Sequence, residues 1–214
     1  MKWTDLMDPT TLLKEIFGAF DAYRGVRLVA LGESQVGKTT FWHYARHNSP
    51  PKKEYGSTQT IEDLGKFAVH DITVGYVAQR VRAFDVPGQL RDTWGDALKA
   101  ANPHGILFMC DHSSGEGREA DPGRLRAHRE AFNHVHDLIG ELPLPALERV
   151  AIVVNKADLW RSAYTRQALL REAGLATLYP ALQAERGGLG VAVREMSALY
   201  GDNVRSVLSF LSGK

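Results

Sequence analysis

Between Val26 and His47 the chain reads VRLVALGESQVGKTTFWHYARH: an apolar run, a glycine-bracketed loop, then a helical pattern. Within it GESQVGKT satisfies G-x-x-x-x-G-K-[ST] at every fixed position, from Gly32 to Thr39. A loop of this kind stores little folding energy. It makes sense as a cradle whose backbone N–H groups face an anion, with Gly32 and Gly37 removing the Cβ atoms that would obstruct it. A helix starting near Lys38 directs the positive end of its dipole at the same point. Lys38 is then placed to reach the outer phosphates of a nucleoside polyphosphate, and Thr39 to ligate Mg²⁺. Glu33, Ser34, Gln35, Val36 and Thr40 complete the candidate phosphate-binding segment.

The rest of the chain supplies the context that such a loop requires. VRLVALG, LGKFAVHDI, VAQRVRAFDV, HGILFMCD, ERVAIVVN and LGVAVREMS read as six strands, with helical periodicity at roughly 38–47, 92–101, 123–140, 162–172 and 203–212. Strands alternating with helices predict an α/β fold. The expected form is a P-loop NTPase three-layer sandwich, a six-stranded and mostly parallel sheet with helices on both faces. The 214 residues suit one such domain over 26–214, preceded by a helical extension over 1–25. Net charge is +1, so no basic excess points to nucleic acid. The sole cysteine, Cys110, lies in an apolar run and cannot form an intramolecular disulfide. No apolar run approaches the ~20 residues of a membrane span, and no secretory or lipidation signal is visible, so a cytoplasmic location is the expectation.

In sheets of this kind ligands bind where loops leave the carboxyl ends of strands. Three further motifs fall there. In FDVPGQL, Asp85 is placed to hold Mg²⁺, Gly88 to give an N–H to a terminal phosphate, and Gln89 to orient an attacking water. In VVNKADL, Asp158 offers two acceptors to the N1–H and N2–H₂ edge of guanine, a pair that adenine lacks. Lys156 can lie along the base plane, and Asn155 can tie this loop to the phosphate loop; a plain helix cap at Asp158 is the alternative. In EMSAL, Ser197 and Ala198, with Leu199 following, are placed to give a backbone N–H to guanine O6.

These four motifs in this order resemble the small GTPases of the Ras superfamily, over roughly residues 26–212. FDVPGQLRDTW, ANPHGILFMCDHS and VVNKADL are most similar to the Arf-like branch. The resemblance implies GTP/GDP and Mg²⁺ as ligands, slow GTP hydrolysis, and signalling to a protein effector, with activating and exchange partners. Lys38 and Gln89 would serve catalysis, and a first-switch threonine would close over the metal. YGSTQTIEDL offers Thr60, with Thr58 as the alternative. Pro87 before Gly88 departs from the usual small residue and is similar to bacterial MglA-type GTPases. Ser34 stands where Ras proteins carry glycine. No arginine is obviously placed to reach the reacting phosphates, so turnover alone should be slow. A nucleotide-binding scaffold with little hydrolysis is the runner-up, and an ATP-using enzyme shares the phosphate loop but not NKAD.

Two segments stay outside the motifs. Leu12, Leu13, Ile16, Phe17 and Phe20 share one helical face near the N-terminus. Arf-type proteins insert such a helix into membranes, but this one has an acidic rather than a basic polar face, so permanent packing on protein is favoured over lipid. RQALLREAGLATLYPALQAERGGLG is longer than a minimal domain needs, and reads as a partner surface or a decoration of the fold. His43 with His47, and His134 with His136, lack a third ligand for a metal.

Overall fold

A computed structural model describes residues 25–52, 59–74, 77–113 and 117–213. Its six strands are β1 (Val26–Leu31), β2 (Glu62–Val74), β3 (Val77–Asp85), β4 (Gly105–Cys110), β5 (Arg149–Val154) and β6 (Gly190–Glu195). They form one sheet in the order β2-β3-β1-β4-β5-β6. β2 pairs antiparallel with β3, and every other pairing is parallel. The helices are α1 (Lys38–His47), α2 (Trp94–Ala101), α3 (Pro122–Glu141), α4 (Ala157–Trp160), α5 (Arg166–Glu172), α6 (Leu175–Glu185) and α7 (Val204–Ser212), with a 3₁₀ turn at Arg91–Thr93 before α2. The predicted strands and their parallel arrangement are therefore present.

Side-chain alternation along the central strands separates two cores. Val29, Leu31, Ile106, Phe108, Cys110, Val150, Ile152 and Val154 point to the face covered by α2, α3, α5 and α6. Leu28, Ala30, Leu107, Met109, Ala151 and Val153 point to the opposite face, under α1 and α7. All residues of β4 are buried. Burying both faces explains why these strands read as unbroken apolar runs, each large side chain contributing about 1.5–3 kcal/mol.

The long segment after the guanine-type motif folds as α5 and α6, which join the first core through Leu169, Leu170, Leu175 and Leu182. Arg186 then donates to the carbonyls of Ile139 and Leu144 at the end of α3. The segment is thus bolted to the body of the domain. Its second helix escaped the sequence reading because Pro180 sits inside it and proline ordinarily interrupts a helical hydrogen-bond ladder.

α3 begins as its sequence dictates. Asp121 caps it, accepting from the Gly123 and Arg124 N–H groups, and Pro122 occupies the first turn, where a missing N–H is harmless. The amphipathic N-terminal segment and Thr58 lie outside the described residues. Among the described residues no helix is long and apolar enough to cross a membrane.

Candidate functional site

The loop between β1 and α1 has the alternating backbone of an anion nest. Gly32 (φ +134), Gln35 (φ +60) and Gly37 (φ +93) all adopt positive φ. A Cβ on Gly32 would stand 2.2 Å from the Met109 carbonyl oxygen, and one on Gly37 would stand 2.4 Å from Asn155 Nδ2. Both positions are therefore closed to larger residues. Val36 is buried, and helix α1 follows at once with Lys38.

Lys38 is 6% exposed and folds back over the loop, Nζ donating to the Gly32 and Glu33 carbonyls at 2.8 and 2.9 Å. An ammonium has three donors, so these two bonds orient the third. Burial pushes the Lys38 pKa down to about 8, against the pull of Asp85 and Glu33. An anion bound beside it would offset that cost of burial and favour the charged form. Beside it, Thr39 Oγ1 donates to Asp85 Oδ2 at 2.6 Å. Asp85 is fully buried at the end of β3. The hydroxyl and carboxylate expected to share a metal therefore meet, although 46 residues separate them. Thr40 is half-buried in the first turn of α1.

Register brings the first-switch candidate to the same edge. Glu62 pairs with Asp85, so Thr60, exposed two residues before Glu62, lies at the Asp85 end of the β2–β3 pair. The second loop lies against the phosphate loop. A Cβ on Gly88 would be 2.3 Å from both the Glu33 carbonyl carbon and the Ser34 nitrogen. Gln89 and Leu90 are exposed. The loop is pinned from below, because buried Trp94 donates its indole N–H to the Pro87 carbonyl at 2.9 Å. Arg91 closes the far side. It donates to Glu33 Oε1 at 2.9 and 2.6 Å and to the Ala127 carbonyl of α3.

Asn155 performs the expected tether. Its Nδ2 donates to the Val36 carbonyl at 2.7 Å, and its Oδ1 accepts from the Ala198 N–H at 2.9 Å. The Ala157 N–H donates to the Met196 carbonyl, stapling the loop after β5 to the loop after β6. Three loops are thus joined through one amide side chain and one backbone bond. The Ala198 N–H, expected to face a guanine oxygen, is engaged by Asn155, and the Ser197 N–H by the Asp202 carbonyl. Leu199 follows and is exposed, while Ser197 Oγ is buried without a hydrogen-bond partner among the described residues. Asp158 is exposed in the first turn of α4 and is not its cap, a position held by Lys156 at φ +59.

Sequence reasoning missed a buried polar cluster behind the loops. Asp111, at the end of β4, lies 2.7 Å from Arg124 Nε, 2.8 Å from Lys156 Nζ and 2.8 Å from His128 Nε2. Burial alone would raise the Asp111 pKa, but hydrogen bonds from His128 and Arg124 overcome it and hold the carboxyl well below the usual range. Burial lowers the pKa of His128 against the pull of Asp111, and its Nε2 lies within hydrogen-bonding distance of both the Asp111 carboxylate and the Asp111 N–H. A carboxyl with a depressed pKa stabilises the fold above its unfolded pKa, and that stabilisation fades as pH falls toward the folded value. Asp111→Asn should therefore cost about 3–5 kcal/mol at pH 7. Urea unfolding should show that difference shrinking from about pH 4 downward. A difference that stays constant to pH 2 would show that the charge of Asp111 is irrelevant.

No family model matches the chain. It is 29% identical over 197 residues to the Ras-related protein Rab-27B of Rattus norvegicus, covering 87% of this chain and 77% of that protein. Among solved structures it superposes on the Arl6 BBS3 small GTPase of Trypanosoma brucei, determined with the nucleotide analogue GppNp. There the TM-score is 0.60 at 18% identity, over 88% of this chain and 96% of that one. The fold is that of the small GTPases. The mammalian SRP receptor structure is similar too, with a TM-score of 0.60 at 16% identity, over 87% of this chain and 98% of that one.

Proposed function

We propose that this chain is a Ras-superfamily GTPase of the Arf-like kind, a switch that binds guanine nucleotides and hydrolyses GTP slowly. The observation that carries the reading is the Asn155 tether, which joins the phosphate loop, the NKAD loop and the SAL loop into one binding site. A phosphate cradle alone would suit many nucleotides. A cradle bonded to a loop carrying an exposed carboxylate at Asp158 suits a base with paired donors. The similarity to Rab-27B and the superposition on Arl6 support the same reading.

The residues divide the work. Amides of Gly32–Gly37 and the Lys38 ammonium receive the phosphate tail, and charge built up during transfer falls on donors already in place. Thr39 and Asp85 would hold Mg²⁺, with Thr60 as the third candidate; their convergence at 2.6 Å fits a small oxygen-seeking cation. When bound, that ion supplies neutralisation of phosphate charge. Gln89 orients the attacking water, and Gly88 reads the terminal phosphate from the second loop. Loss of that phosphate releases the second loop and Thr60, and a protein effector senses the change. The reading goes with a cytoplasmic location and with activating and exchange partners. The resemblance to bacterial MglA-type proteins rests on Pro87–Gly88.

One observation favours a nucleotide-holding scaffold instead: the second loop is pinned at Pro87 by the indole of Trp94. Single-turnover hydrolysis separates the two readings. Gln89→Leu should slow GTP cleavage by roughly 10- to 100-fold, the cost of a mispositioned nucleophile, without weakening GTP binding. A wild type no faster than this variant would favour the scaffold.

A further inference from the structure

Backbone N–H groups of the phosphate loop can face inward only if its carbonyls face outward and are held there. Lys38 holds those of Gly32 and Glu33, and Asn155 holds that of Val36. Between them lies Ser34, whose carbonyl accepts from Arg124 Nη2 at 2.6 Å. Arg124 comes from the first turn of α3, 90 residues away in sequence, and its side chain is 10% exposed. Its other edge is fixed by Asp111, Nε to Oδ1 at 2.7 Å. Asp111 also engages Lys156 of the NKAD loop.

We propose that Arg124 is a positioning residue for the phosphate tail. It anchors the Ser34–Gln35 turn of the cradle to the carboxylate that also fixes Lys156, so the outer phosphates and the base loop are held from one point. The proposal rests on the guanine-nucleotide reading. Two different nitrogens of the planar guanidinium, Nε and Nη2, engage the carboxylate and the carbonyl; a lysine in its place keeps the charge beside Asp111 but carries it on one nitrogen and does not reproduce that fork. Ser34 lies at the turn of the loop away from the start of α1, so losing its anchor should fall on the phosphates beyond the first.

The test is titration calorimetry of the full chain, freed of copurified ligand, with GDP, GMP and ADP in the presence of Mg²⁺. Arg124→Lys should keep the wild-type melting temperature within a few degrees. It should weaken GDP roughly tenfold, as expected for one charge-assisted hydrogen bond, while changing GMP by less than threefold. Arg124→Met should weaken GDP further, to roughly a hundredfold. If Arg124→Lys binds GDP as wild type does, or if GDP and GMP weaken by the same factor, Arg124 is a structural residue and the proposal is overturned. A wild type that binds ADP as well as GDP removes the guanine reading and this proposal with it, whereas normal guanine selectivity with an unaffected Arg124→Lys removes the proposal alone.

Discussion

Asp158→Asn should cost the protein its discrimination for guanine. Asp158 is exposed on the loop that Asn155 bonds to the phosphate cradle, so its carboxylate is available to a base while its position is fixed from behind. Guanine presents two adjacent donors, and a carboxylate accepts both. An asparagine offers one acceptor and sets an N–H₂ against the other donor, so one interaction is lost and one becomes repulsive. A bond to a charged group is worth more than a neutral one, and a mismatched polar pair in a binding site costs more than a missing one. GDP affinity should fall by roughly 10²–10³-fold, with ADP affinity nearly unchanged. Competition titrations with GDP and ADP measure this directly. An Asp158→Asn protein that holds GDP as tightly as wild type would show that the base is read elsewhere.

Gly32→Ala should damage the fold as well as the site. The backbone there has φ +134, which L side chains rarely adopt, and an added Cβ would lie 2.2 Å from the Met109 carbonyl oxygen and 3.1 Å from its carbon. Neither neighbour can give way. Met109 is fully buried in β4, which is hydrogen-bonded between β1 and β5. The loop must then leave its place, and the carbonyls that orient Lys38 go with it. The expected loss is about 3–5 kcal/mol of stability in urea unfolding, together with loss of measurable GDP binding. An alanine variant within about 1 kcal/mol of wild type would mean that the loop tolerates a different backbone.

The cradle was legible because its determinants are consecutive: two glycines, a lysine and a threonine at fixed spacing, between an apolar run and a helical one. The sheet was legible because burial on both faces leaves strands apolar throughout, as in β4 and β5. Asp85 and Asn155 could be placed because each stands at the end of a strand-like run. Arg91 and Arg124 could not. They meet the phosphate loop across 58 and 90 residues, on elements whose own patterns give no sign of it. Both arginines contact the loop itself, one by the Glu33 carboxylate and one by the Ser34 carbonyl. Asp111 closes the apolar run HGILFMCD, yet its three partners lie on α3 and the loop after β5. Such contacts depend on how helices lie over the sheet, which local periodicity does not encode.

Because Arg124, His128 and Lys156 all lean on the carboxylate of Asp111, these four positions are not free to drift one at a time. A lineage that lost the acid first would strand an arginine and a lysine in low dielectric; one that lost the arginine first would strand the acid. Divergent descendants of this chain should therefore keep the quartet whole, exchange a member only for one of like charge, or replace it together, and intermediates that leave a buried charge unpartnered should be rare and heat-sensitive.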